Sequence, residues 1–277
     1  MAQNNPLMQK TKLPGKVFQL PSMGAFYEKG VLADTVMNGE VQVKPMSALT
    51  ELKIRTADLL ISGKVWAEVC EECVPDVLQP INLVAKDVDA LFCFLIISTY
   101  GPSKEIKAIH DCVGAKMHDY KIDLDKIISE PNNSALTHKD MLYRCDLSNG
   151  QTVHLKPVTY EDSILLMNIR SEINRFDMEG GRSIPRELLE KMVIADMMAV
   201  ITSVEDVVNG ERIVVNNRIH IDEWLKSLSK KFTNEIAAAS IKASEWGFVF
   251  SQDIVCKDCQ QKFSYDIELN PVTFFSG

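Results

Sequence analysis

Cys256-Lys257-Asp258-Cys259 sets two thiols three residues apart, a spacing that lets a tight turn present both sulfurs to one point. Thiolates so placed can fill two corners of a tetrahedral Zn2+ site, and strand-like segments over Phe248 to Val255 and Phe263 to Leu269 would complete a zinc-ribbon hairpin. A second pair of ligands is required, and His110-Asp111-Cys112 offers an imidazole and a thiol. The sequence therefore predicts a Cys3His site of Cys256, Cys259, Cys112 and His110. Such a site supplies up to roughly 10–16 kcal/mol in favourable peptide cases, enough to dominate a small hairpin. The alternative is that His110-Asp111-Cys112 is a decayed first knuckle and that Cys256 and Cys259 are free thiols on a turn. A redox role for Cys256 and Cys259 lacks the expected strand-then-helix context.

The remaining reactive side chains make weaker patterns. Cys70-Glu71-Glu72-Cys73 has the same spacing but falls within a helical pattern, where Cys73 joins Val69 and Trp66 on an apolar face and reads as core. Cys93 reads as a core thiol and Cys145 as a surface one. His138 with Asp140, and His220 with Asp222, bring imidazoles near carboxylates without a nucleophile, so they read as helix-start or loop residues. Gly180-Gly181-Arg182-Ser183 lacks the span and the Lys-Ser/Thr ending of a phosphate-wrapping loop and reads as a flexible loop. Nothing here composes a catalytic site, and the expectation is a protein that is not an enzyme.

The elements that must position these residues are written twice. Asn38-Gly39, Val43-Lys44-Pro45 and Ser47 return as Asn149-Gly150, Leu155-Lys156-Pro157 and Thr159. Tyr100-Gly101, Asp111-Cys112 and Tyr120 to Leu124 are answered by Trp246-Gly247, Asp258-Cys259 and Tyr265 to Leu269. In this echo His110 and Cys112 stand where the first copy of the knuckle should be. The expected fold is α+β and helix-rich, with two pseudo-repeated units, each carrying a strand or hairpin, helices and a zinc-ribbon-like hairpin. Residues 1–27 read as an N-terminal arm, 28–130 as the first unit, 131–148 as a linker, and 149–277 as the second unit with the CxxC hairpin and a docking tail.

Helical stretches are expected over 57–73 and 87–100, the latter apolar all round, closed by Gly101 and central to its domain. Further helices are expected over 160–174, after Pro185, over 219–230 and over 233–246. With 46% hydrophobic residues among 277, the chain can bury one large core or two modest ones, and the echo favours two. A net charge of −8 offers no broad cationic face for phosphate, which argues against generic nucleic-acid binding. The longest apolar run, Ala90 to Ile97, is too short to span a membrane, and the polar N-terminus carries no secretion signal, so a cytoplasmic protein with reduced thiols is expected.

Leu20-Pro21-Ser22-x-Gly24-x-x-Tyr27, the strand Val41 to Val43 running into Pro45-Met46-Ser47, Asp58-Leu59-Leu60, Gly63, Cys70 to Val74, and the 87–101 helix ending in Tyr-Gly stand in an order that resembles the T-even-type baseplate hub family of contractile-tailed phages. The resemblance covers most of residues 17–124, with a fainter second copy to Leu269. It implies a non-enzymatic structural component of the baseplate hub, or a hub assembly factor absent from the mature virion. The implied location is the virion tail baseplate, reached through the cytoplasm of the infected bacterium. Implied partners are hub, tube, tape-measure or wedge proteins in a symmetric assembly with multiple copies, with no nucleic acid and no membrane. The first hairpin of the family often reads Cys-x-x-Cys-Gly, whereas this chain has His110-Asp111-Cys112-Val113-Gly114. Among the aromatics, Phe18, Phe26 and Tyr27 of the arm and Phe274 and Phe275 of the tail are expected partner anchors. A zinc-ribbon adaptor on nucleic acid is the rival, resting on Lys226, Lys230, Lys231 and Lys242.

Overall fold

The computed structural model of the chain describes residues 14–54, 64–129, 131–178 and 184–267. Among them are nine α-helices and four small antiparallel sheets, an α+β fold. They gather into two compact units. Unit 1 takes the described parts of 1–80, 86–131 and 247–277, and unit 2 takes 81–85 and 132–246.

Unit 1 is organised around a helix of residues Ala85–Tyr100, whose buried residues run from Asp87 through Ile97 on every face. A helix so apolar has no surface to give to water and must be wrapped. Aromatic rings do much of the wrapping: Phe18 stacks on Phe94 with centroids 4.5 Å apart, Trp66 meets Phe92 at 4.5 Å, and Phe248 sets its edge towards Phe94 at 6.0 Å. Phe18 belongs to strand β1 (Lys16–Gln19), which pairs antiparallel with β2 (Glu40–Val43), and Val41 and Val43 of β2 point inward. The short helix α1 (Ala48–Ile54) follows, its first turn capped by Ser47, whose hydroxyl accepts the Thr50 N–H at 3.1 Å. Then come α2 (Lys64–Cys73) and the central helix, α3. Gly101, at φ 90°, turns the chain from α3 into a hairpin of β3 (Ser103–Ala108) and β4 (His118–Asp123). Helix α4 (Leu124–Ser129) closes this stretch.

Unit 2 is built on a four-stranded antiparallel sheet in sequential order, β5 (Arg144–Asp146), β6 (Thr152–Leu155), β7 (Ile201–Val208) and β8 (Glu211–Val215). Its helices are α5 (Lys139–Leu142), α6 (Tyr160–Met178), α7 (Arg186–Val200), α8 (Arg218–Ser227) and α9 (Lys230–Ala243). Thr159 caps α6 reciprocally: its hydroxyl accepts the Asp162 N–H at 3.2 Å, and Asp162 accepts the Thr159 N–H at 3.1 Å. Residues 81–85 join this unit because Tyr160 N–H donates to Leu83 O at 2.7 Å and Ala85 N–H to Val158 O at 2.8 Å.

The sequence echo has a structural counterpart. An Asn-Gly turn, a strand and a capped helix recur at 38–48 and 149–160. A helix, a glycine at φ 90° and a hairpin recur at 85–123 and 230–266, where the second hairpin is β9 (Ser251–Val255) with β10 (Lys262–Asp266).

Three expected boundaries change. The C-terminal hairpin belongs to unit 1, because Ile254 is buried with Ala108 and Tyr120 of the first hairpin, and Phe263 packs against them. Residues 132–148 are part of unit 2, carrying a 3-10 turn over Ser134–His138, then α5 and β5. The arm reading fails from Lys16 onward, where backbone pairing with β2 holds the segment. Pairing and burial decide these assignments, and neither is visible in local composition.

Candidate metal centre

Each hairpin of unit 1 ends in a turn that aims side chains at one point. In the first, Cys112 N–H donates to His110 O at 2.9 Å, Ala115 N–H to Cys112 O at 3.0 Å, and Gly114 takes φ 76°. In the second, Cys256 N–H donates to Gln261 O at 2.8 Å and Gln260 N–H to Cys256 O at 3.0 Å, with Gln260 at φ 61°. Gly114 and Gln260 thus reverse the chain with left-handed residues just after Cys112 and Cys259.

The donor atoms of His110, Cys112, Cys256 and Cys259 lie within 4.8 Å of one another and could hold a metal ion. Cys112 Sγ is 3.9 Å from Cys256 Sγ, and Cys259 Sγ is 3.3 Å from His110 Nδ1. On a tetrahedron with metal–sulfur bonds of about 2.3 Å and metal–nitrogen bonds of about 2.0 Å, the expected edges are about 3.8 Å and about 3.5 Å. The four residues expected from the sequence are brought together, and each hairpin contributes two of them.

Neighbouring groups hold the donors in place. The His110 ring stacks on Phe263 with centroids 4.7 Å apart, and Phe263 meets the edge of Tyr120 at 6.0 Å. Tyr120 Oη accepts the Lys257 N–H at 3.2 Å, while Lys257 Nζ donates to Asp119 O at 2.6 Å. Asp258 joins the two turns from the other side, accepting the Lys116 N–H at 3.0 Å and lying 2.9 Å from His118 Nε2. The His118 contact, followed by the Lys116 N–H, holds the Asp258 carboxyl below the usual carboxylate range.

Cys256 and Cys112 are unequal thiols. The Cys259 backbone N–H, aided by that of Asp258, brings the Cys256 thiol down to about 6 against the effect of burial. Burial and the neighbouring Cys259 and Cys256 sulfurs push Cys112 up to about 12. One thiolate is favoured and its negative charge opposes a second beside it, an opposition that a bound cation removes.

The other candidates resolve as follows. Cys70 and Cys73 are buried core residues on α2; burial pushes the Cys70 thiol well up and Cys73 up to about 12. Cys93 is buried in α3, its thiol also up to about 12. Cys145 is not a surface thiol: it is the inward residue of β5, with Sγ 3.8 Å from Glu235 O of α9. His138 and Asp140 stand at the start of α5, and His220 and Asp222 lie on α8, where Lys226 Nζ donates to Asp222 at 2.5 Å. Gly180 to Ser183, Phe274 and Phe275 lie outside the described residues.

Two of the expected aromatic anchors have internal duties. Phe18 stacks on Phe94, and Tyr27 donates its hydroxyl to Asp87 at 2.5 Å, while Phe26 is half-buried. The residue that sequence reasoning overlooked is Asp87, fully buried in the first turn of α3. Its signal was a carboxylate opening an otherwise apolar helix downstream of the Ser22-x-Gly24-x-x-Tyr27 pattern.

No family model matches this chain, no curated protein matches it, and no solved structure does.

Proposed function

We propose that the chain is a structural component of a contractile phage tail baseplate hub, acting through protein–protein contacts, with a structural Zn2+ held by His110, Cys112, Cys256 and Cys259. The observation that carries the structural reading is the closed donor set. Three sulfurs and one imidazole nitrogen lie within 4.8 Å of one another, and around a tetrahedral ion they would fill all four positions without a water or substrate. Zinc suits these donors: it is borderline-soft, indifferent to redox, and tetrahedral in sites of this composition. It joins two hairpins, which is a structural task and not a turnover step.

The baseplate reading draws on the sequence resemblance over residues 17–124. The Pro-Ser-x-Gly-x-x-Tyr segment at its head clasps Asp87, so the resembling residues have a shared physical task in unit 1. A net charge of −8 favours protein partners in the tail over nucleic acid.

The test is quantitative mass spectrometry of purified virions beside infected-cell lysate, with copy number read against the tail tube protein. A fixed copy number in virions supports the baseplate component. Presence in lysate alone moves the chain to the assembly factors, and absence from both overturns the phage reading.

A further inference from the structure

Apart from the shared donor cluster, the two hairpins meet through side chains around a small apolar core. β3–β4 and β9–β10 are separate two-stranded sheets with no backbone ladder between them. The buried residues between them are Ala108, Tyr120 and Ile254, with Ile106, Phe263 and Tyr265 only partly covered. Their direct polar contacts are single side-chain bonds: Asp123 N–H to Gln252 Oε1 at 3.0 Å, Lys116 N–H to Asp258 at 3.0 Å, Lys257 N–H to Tyr120 Oη at 3.2 Å, Lys257 Nζ to Asp119 O at 2.6 Å, and His118 Nε2 with Asp258 at 2.9 Å. An isolated two-stranded hairpin is marginal in water, so neither sheet stands well alone. Roughly half of the chain separates Cys112 from Cys256. The four donors therefore tie together parts of the chain that are distant in sequence.

The root of the second hairpin is held differently. Phe248 sets its edge against Phe94 of the α3 core, and Ile267 N–H donates to Phe250 O at 2.8 Å. The weakly held part is thus the knuckle end, beyond a root fixed by aromatic packing.

We propose that the ion in the His110, Cys112, Cys256 and Cys259 cluster fastens the C-terminal hairpin to the first hairpin of unit 1, so that residues 251–266 dock when metal binds and, when it leaves, detach from the knuckle end back towards the fixed root. This rests on the zinc reading above and adds its consequence. The metal couples two distant parts of the chain, and unit 1 is completed only after all of unit 2 has been made. Metal supply then sets whether the hairpin end is presented as a docked surface or as a free segment.

The experiment is hydrogen exchange with mass-spectrometric readout on the full chain in three states: zinc-loaded, chelated, and reloaded with zinc. Zinc content is measured on each sample. On chelation, peptides in 103–123 and 251–266 are expected to exchange roughly tenfold faster or more, and to recover on reloading, while α3 and residues 132–246 keep their protection. The double variant Cys256→Ser/Cys259→Ser, kept in zinc buffer, is expected to match the chelated pattern, which separates metal loss from any effect of the chelator. If zinc binds and its removal leaves both hairpins protected, the clasp is overturned while the zinc site stands. Loss of protection in α3 along with the hairpins also overturns it, because the ion would then support the whole unit. A chain that holds no zinc as purified and takes none up in titration overturns the zinc reading and the clasp together.

Discussion

Tyr27 Oη donates to Asp87 Oδ2 at 2.5 Å, tying an early turn of the chain to a carboxylate fully buried at the start of α3. Ser22 contributes its N–H at 2.9 Å and its hydroxyl, and Gly24 N–H donates back to Ser22 Oγ at 3.1 Å. A buried carboxylate needs such donors, and the donors in turn need an acceptor once water is excluded. Asp87→Ala removes the acceptor and leaves its donors behind, so it is expected to destabilise unit 1 by about 3 kcal/mol. Tyr27→Phe removes one charge-assisted bond and is expected to cost about 1.5 kcal/mol. Urea unfolding of the two variants checks both the sizes and their order.

The same carboxylate makes a pH prediction. Burial, opposed by bonds from Ser22 and Tyr27, raises Asp87 from 3.8 to about 6. The folded state therefore binds this proton more readily than the unfolded state. The contribution of Asp87 to stability is fully present below the unfolded value and is lost as pH rises through the folded one. Asp146, Glu205, Glu235 and Asp258 are shifted downward, so their contributions run the other way and fade as acid protonates them. Asp89 is raised to about 6 by burial, against the opposing charge of Lys86, and shares the window with Asp87. Between 3.8 and about 6, the stability of wild type minus that of Asp87→Asn is expected to fall with rising pH. A difference that is flat across this window would contradict the assignment.

Metal composition is tested by substitution at the imidazole corner. His110→Cys turns the donor set into four thiolates without moving the turn, so the variant is expected to keep the metal. With Co2+ in place of zinc, its ligand-field bands should move towards those of a four-sulfur site. Cys112→Ser is expected to lose most of the affinity. Asp258→Asn weakens the bridge between the turns and is expected to lower affinity by about tenfold, since orienting groups around a metal commonly carry such effects. Because the thiols must deprotonate to bind, affinity in every variant should fall as pH is lowered.

The cluster of possible metal donors was legible because donor type and spacing are local properties: Cys256 and Cys259 announce a knuckle, and the echo pairs them with His110 and Cys112. Helix α3 was legible for a similar reason, since a run apolar on all faces belongs inside. The home of the second hairpin was not. Alternation along β9 and β10 tells which face is buried but not which core receives it, and the contact with Ala108 and Tyr120 is long-range. Cys145 was misread because β5 is only three residues long, too short for alternation to show that its middle residue points inward. Asn209-Gly210, with φ 54° and 84°, joins β7 to β8, and this turn signal was present in the sequence but went unused.

The duplicated Asn-Gly turns allow a matched comparison of backbone strain and steric contact. Gly39 and Gly150 both sit at positive φ, 72° and 94°, where any side chain is strained. Their surroundings differ. A Cβ on Gly39 would stand 2.8 Å from the Met23 Cα and carbonyl carbon and 2.9 Å from Gly24 N, all backbone atoms, whereas a Cβ on Gly150 meets nothing within 4 Å. The turn at Met23-Gly24 is itself left-handed, with φ 52° and 77°, so two tight turns are pressed together and neither can give way cheaply. Gly150→Ala should show the conformational cost alone, about 1 kcal/mol, while Gly39→Ala adds a backbone clash and should cost about 3 kcal/mol or more. Hydrogen exchange resolved by unit, with Gly39 read in unit 1 and Gly150 in unit 2, measures the two separately. Equal costs would mean that the packing of the two turns in unit 1 is looser than these distances state.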